Sequence, residues 1–177
     1  MKKLIFSLAV IMASVGWINA ANGSDGPSVV VSPMTVPSNF VGSYTGLLHN
    51  IIMNGNDDYE DREMTFKVIS ADKLQGTLPQ IGSMPGTITI DLPISVATNG
   101  NMTTTAGSGQ VGTLKLNIFP YLTIPLYLDG TNATAFTGAS IDPVTKEMNF
   151  TLKVKGEYLG ISMYPAQVSF TSSIFTP

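Results

Sequence analysis

The chemistry open to this chain is bounded first by what it lacks. It has one histidine, His49, one arginine, Arg62, and no cysteine. A zinc site on a lone histidine would need carboxylate help, and one without cysteine or a second histidine is unusual. As a general base, His49 would need a nucleophile and an orienting acid. It lies in Leu47-Leu48-His49-Asn50-Ile51, inside the first expected strand. A strand histidine that faces solvent or caps a sheet wall is the simpler reading. No serine sits in a Gly-x-Ser-x-Gly elbow. Acid pairs for glycoside hydrolysis can be drawn among Asp91, Asp129, Glu147 and Glu157, but any chain this long offers such pairs. The sequence nominates no catalytic residue and no cofactor, which points to a non-enzymatic protein.

The densest acidic run is Asn54-Gly55-Asn56-Asp57-Asp58-Tyr59-Glu60-Asp61. Oxygen-bearing side chains recur at Asn54, Asn56, Asp58 and Glu60. Alternate spacing of hard ligands lets a loop wrap calcium, but the glycine and distal glutamate of an EF-hand are missing. A solvated hairpin tip, extended by Arg62 and Glu63, accounts for the same residues without a metal. Asn22, Asn101, Asn132 and Asn149 stand in Asn-x-Ser/Thr sequons, which a chain rich in Asn and Thr produces by composition alone. Tyr121, Tyr127, Tyr158, Tyr164 and the methionines could line a sugar or lipid cleft, although core filling is the commoner use of methionine.

The elements that would position these residues are strands. In Gly86 to Ala97 the even positions are Ile88, Ile90, Leu92, Ile94 and Val96, and the odd ones include Thr87, Thr89, Asp91 and Ser95. Side chains alternate across a strand, so the aliphatics share one face. The register recurs in Met64-Phe66-Val68, Leu114-Leu116-Ile118, Leu122-Ile124-Leu126-Leu128, Met148-Phe150-Leu152-Val154 and Ala166-Val168-Phe170. Turn signals separate the runs at Asn54-Gly55, Asn99-Gly100, Asp129-Gly130 and Asp142-Pro143. Pro79, Pro93, Pro125 and Pro165 interrupt strands and mark edges, bulges or bends. One dry face per strand predicts two packed sheets or a closed barrel.

The N-terminus carries an address. Met1-Lys2-Lys3 is basic, Leu4 to Ala13 is apolar, and Ile18-Asn19-Ala20 ends on a small residue. That is the three-part pattern of a secretory signal. The apolar run is shorter than the roughly 20 residues that span a bilayer. Without cysteine there is no lipoprotein anchor, and no disulfide despite an oxidising destination. The reading is a signal peptide at 1–20, an extended Pro/Gly/Ser-rich leader at 21–39 and one domain at 40–177, periplasmic or extracellular and without a membrane anchor. Val29-Val30-Val31 in the leader could add a strand to a neighbour's sheet. Loss of Lys2 and Lys3 leaves twelve acidic residues against seven basic ones, a balance that argues against nucleic acid as a partner.

Gly42-Ser43-Tyr44-Thr45-Gly46 opens the first strand. It resembles the Gly-x-Trp that begins the first barrel strand of lipocalins, with tyrosine in place of tryptophan. The wider layout adds a hairpin, Gly-Thr-Ile strands, Pro125-Leu126-Tyr127-Leu128-Asp129-Gly130 and Met148-Asn149-Phe150-Thr151-Leu152-Lys153-Val154. From Phe40 to about Phe175 it resembles the calycin-like domain of secreted proteins from Gram-negative bacteria. That resemblance implies an antiparallel meander of about eight strands closing into a lipocalin-like barrel.

The continuous dry face places a candidate ligand site in the barrel interior, near Tyr44, Phe66, Leu92, Leu116, Leu126 and Phe150. A small apolar ligand would suit it, provided that the interior holds a void rather than packed side chains. The alternative is a structural or adhesive surface protein. Export itself is open to a direct check: mass spectrometry of the protein recovered outside the cytoplasm should find Ala21 as the first residue.

Overall fold

The computed structural model describes residues 36–78, 80–81, 86–117 and 122–177. The expected signal peptide, Val29-Val30-Val31 and the rest of the leader before Val36 lie outside the described residues, as do Pro79, Ile118 and Tyr121. The architecture is all-β and antiparallel. Its strands are β1 (Gly42–Met53), β2 (Arg62–Ile69), β3 (Lys73–Leu78), β4 (Gly86–Val96), β5 (Met102–Thr104), β6 (Gly112–Leu116), β7 (Leu122–Leu128), β8 (Phe136–Ile141), β9 (Met148–Tyr158) and β10 (Ile161–Thr176). Among the described residues one short α-helix, α1 (Asn132–Ala135), precedes β8.

The period-two register decides which way each strand faces. In β4 every even residue from Gly86 to Val96 is buried. Met64, Phe66 and Val68 on β2, and Met148, Phe150, Leu152 and Val154 on β9, point into the same core. Eight strands close a ring in the order β10-β1-β2-β3-β4-β6-β7-β9, with β9 pairing back onto β10.

The connectivity departs from a plain meander at two places. β4 pairs with β6 along Gly86 to Ile90, then with β5 along Ile94 to Val96, on the same edge. β9 likewise pairs with β8 over Met148 to Leu152 and with β7 over Val154 to Gly156. The gap between β4 and β9 is thus filled in two tiers. β6 and β7 fill one tier. β5 and β8 fill the other and meet at an Asn101–Ser140 bridge, reinforced by Ile141 N–H donating to Gly100 O at 2.8 Å. Pro93, which has no N–H to donate, stands where the partner of β4 changes. Pro125 stands just before the pairing of β7 with β9 begins at Leu126. Pro165 lies in a register break of β10 between Met163 and Ala166.

The packed unit takes in residues ahead of the boundary expected at 40. The Val36 N–H donates to Asp72 Oδ1 at 2.7 Å, and Val36 is buried. Phe40 is fully buried beneath the Lys146 ammonium, 4.8 Å from its ring centre. The Tyr44 hydroxyl donates to Phe40 O at 2.7 Å, and burial pushes its phenol well above the usual range. This segment covers the end of the ring where β1 starts. At the opposite end stand the β1–β2 loop and the β9–β10 hairpin. That hairpin turns through Leu159 (φ 53°) and Gly160 (φ 78°). A non-glycine residue in this region costs roughly 1–2 kcal/mol.

Aromatic rings fill the middle. The Phe66 ring meets Phe150 edge-on at 5.0 Å and Phe170 at 4.9 Å, and Phe136 adds a contact to Phe150 at 5.5 Å. Gly76 makes room for Phe66, since a Cβ there would lie 2.6 Å from the ring. Phe66→Ala should lower unfolding free energy by about 3–5 kcal/mol. Gly76→Ala should lower it by about 1–3 kcal/mol through overpacking. Urea unfolding of both variants checks the pair, and near-neutral results would mean a loosely packed centre.

Candidate functional site

All six residues expected to line an interior site lie in the core. Tyr44, Phe66 and Leu92 are fully buried, and Leu116, Leu126 and Phe150 nearly so. They belong to one buried core. Phe66 and Phe150 touch, and each also meets Phe170. None of the six lines the two outer grooves described below.

The polar residues singled out by sequence fall on the outside. His49 Nε2 is 3.2 Å from Thr171 Oγ1, on the outer face where β1 meets β10. It lines neither of the two grooves described below. In the acidic loop, Asp58 N–H donates to Asn56 Oδ1 at 3.2 Å, and the carboxylate of Glu60 lies 3.7 Å from exposed Arg62. Among the described residues, no three histidine or acidic side chains gather closely enough to hold a metal.

Two outer grooves are wide enough for a small molecule. One, of about 530 Å³, crosses β2, β3 and β4 over Thr65, Lys67, Gln75, Thr77, Thr89 and Asp91. Several of its polar groups satisfy one another. Asp91 accepts from Lys73 Nζ at 2.6 Å and from Gln75 Nε2 at 2.9 Å, and Thr65 bonds Thr45 at 2.7 Å. The hydrogen bond from Lys73, seconded by that from Gln75, holds the Asp91 carboxyl below the usual carboxylate range.

The other groove is larger, about 870 Å³, and lies at the step between the two tiers. Its floor is the outer face of β7 and β9. Tyr127 stands directly opposite Lys155 in the ladder, and Glu157 follows on the same face. The odd positions of both strands face outward because the even ones are committed to the core. Its walls are the Gly107-Ser108 loop and the Gly130–Ala133 turn into α1. Asn132 joins the two walls. Its Oδ1 accepts from Gly107 N–H at 2.9 Å, and its Nδ2 donates to Thr104 O at 3.1 Å. Thr131 N–H donates to Thr134 Oγ1 at 2.9 Å and stiffens the turn.

The polar tips in this groove are open. Lys155 reaches Asp129 only at 3.8 Å. The Tyr127 hydroxyl, the Ser108 hydroxyl and the Glu157 carboxylate have no side-chain partner among the described residues. An aromatic ring, a cation, an anion and a hydroxyl therefore share one rigid concavity. Such a set can stack on and hydrogen-bond a small polar ring. Tyr127 was legible as a candidate cleft residue. Glu157 was legible only as one of four scattered acids, and Asn132 only as a sequon.

No protein-family model, curated protein or solved structure matches this chain.

The Asp91 pairing makes a pH prediction. A carboxyl whose folded-state pKa is depressed adds stability above its unfolded pKa, and loses it as pH falls through the folded value. The side chains are about two-fifths exposed, so the contribution is small. Asp91→Asn should cost less than about 1 kcal/mol at neutral pH. Urea unfolding should show that difference closing as pH falls below the carboxylate range. A difference unchanged in acid would remove the charge from the explanation.

Proposed function

We propose that this chain is an exported, non-enzymatic β-barrel protein of the lipocalin-related calycin-like kind, and that it works by binding. The address at 1–20 supports export, and the motifs from Gly42 to Val154 support the kinship. The ligand site on this reading is the groove over Tyr127, Lys155 and Glu157, not the barrel interior. The observation that carries it is the contrast between the two places. Inside, the aromatic rings of Phe66, Phe150 and Phe170 are in contact. Outside, the groove offers about 870 Å³ beside the Tyr127 hydroxyl, the Lys155 ammonium and the Glu157 carboxylate.

The groove chemistry favours a small polar ring, of which a saccharide is the plainest example. Tyr127 supplies an apolar ring with a polar tip. Lys155 and Glu157 supply a donor and an acceptor, so a neutral polyhydroxylated ligand can use both. His49 stands apart from Ser108, and nothing in the groove pairs a nucleophile with a base, which supports binding without turnover.

Calorimetric titration with soluble neutral oligosaccharides, cellobiose and chitobiose among them, tests the site. Saturable binding should weaken by about tenfold or more in Tyr127→Ala. The apolar dye 1-anilinonaphthalene-8-sulfonate, titrated in parallel, reports on the interior. Stoichiometric dye uptake by the folded protein, blocked by Leu92→Trp and indifferent to Tyr127→Ala, would return the ligand to the barrel interior and overturn the groove assignment.

A further inference from the structure

We infer that the tip of the β9–β10 hairpin is a lipid-contacting finger, which dips into the polar–apolar boundary of a zwitterionic membrane surface. Leu159 is 84 % exposed at the apex; Ile161, 63 % exposed, and Tyr158, about two-fifths exposed, stand opposite each other on the rung behind it, and Tyr164, also about two-fifths exposed, lies further back. No residue from Tyr158 to Tyr164 is charged. This is the only described hairpin turn that leads with an aliphatic residue in the left-handed region. At Leu159 the chain breaks two local rules at once. It holds a leucine at φ 53°, where Asn, Asp or Gly is the ordinary choice, and it leaves that leucine in water. Local rule-breaking without local compensation marks a functional position.

The finger is firmly based. Tyr158 pairs with Ile161, Glu157 with Ser162 and Gly156 with Met163, and Met163 packs against the core. Beyond the register break, Asn54 N–H donates to Pro165 O at 2.9 Å. The shape is convex, so the partner must be soft or concave. The order of side chains decides between them. One aliphatic side chain, Leu159, leads, and phenols follow beside Ile161 and behind it, which matches the depth profile of a membrane interface, where tyrosine settles at the headgroup level.

Charge selects the lipid. The finger offers no cation to an anionic headgroup. The same Asn54–Pro165 bond sets the acidic β1–β2 loop, with Asp57, Asp58, Glu60 and Asp61, beside the finger's base. Anionic lipid would meet that loop at close range and be repelled. The contact is peripheral and independent of the Tyr127 groove, so either assignment can fail without the other.

The chain without residues 1–20 contains no tryptophan, because Trp17 is the only one. Leu159→Trp therefore reports on the tip alone. Titrated with phosphatidylcholine vesicles, its emission should shift to the blue and saturate, and phosphatidylglycerol vesicles should bind more weakly, most clearly at low salt. Adding Ile161→Asp should weaken partitioning by at least ~10-fold, with the urea unfolding midpoint showing that the domain remains folded. Flotation of the chain with Leu159 intact, against Leu159→Asp, shows that the reporter did not create the affinity. An unshifted emission, equal flotation of Leu159 and Leu159→Asp chains, or tighter binding to phosphatidylglycerol would each overturn the inference; the first two would leave the tip in water or in a protein pocket.

Discussion

Phe66 of β2 meets Phe150 of β9 and Phe170 of β10 across the middle of the ring. These contacts join strands that are not neighbours in sequence and hold the two ends of the sheet together. The closing β9–β10 ladder places Phe150 opposite Phe170, and the β1–β10 ladder places Phe170 opposite Leu48. A slip of one residue in either ladder would turn these side chains outward. Gly76 belongs to the same constraint, because a side chain there would displace the Phe66 ring. With no cysteine in the chain, this packing takes the place of a covalent cross-link.

Outside the aromatic contacts at the centre, the ring carries concave surfaces. There the shape comes from the two-tiered gap between β4 and β9. The tiers require the chain to leave the ring as β5, return as β6 and β7, and leave again through α1 and β8. The loops that make these excursions become the walls of the Tyr127 groove, and Asn132 ties them together. The hydrogen bonding that completes the fold therefore also stiffens the concavity. At the end of the ring away from Phe40, the same sheet extends past its neighbours as the β9–β10 hairpin, with its apolar tip in water.

Much of this was legible from single strands. The inward set of β2, β4 and β9 follows from alternation alone, and so do the outward positions of Tyr127, Lys155 and Glu157. The turn at Asn54-Gly55 follows from residues that accept the left-handed region. The turn at Leu159-Gly160 was silent, because leucine is a poor resident of its position. Pro93 and Pro125 announced bends but not their purpose, which depends on which strand stands opposite.

By itself the sequence determined the class of structure and the face each strand presents to the core. These are properties of residue type and of a period of two, and both are local. Only the tertiary structure decided that Phe66 and Phe150 meet in the core, that Asn132 bridges two loops and that Tyr127 faces Lys155 across a ladder skipping β8. Each of these depends on pairing between residues far apart in the chain. Alternation says that a side chain points inward, but the volume left at the centre is set by the strands that converge there. For the same reason, an outward side chain becomes part of a groove only when distant loops rise on either side of it.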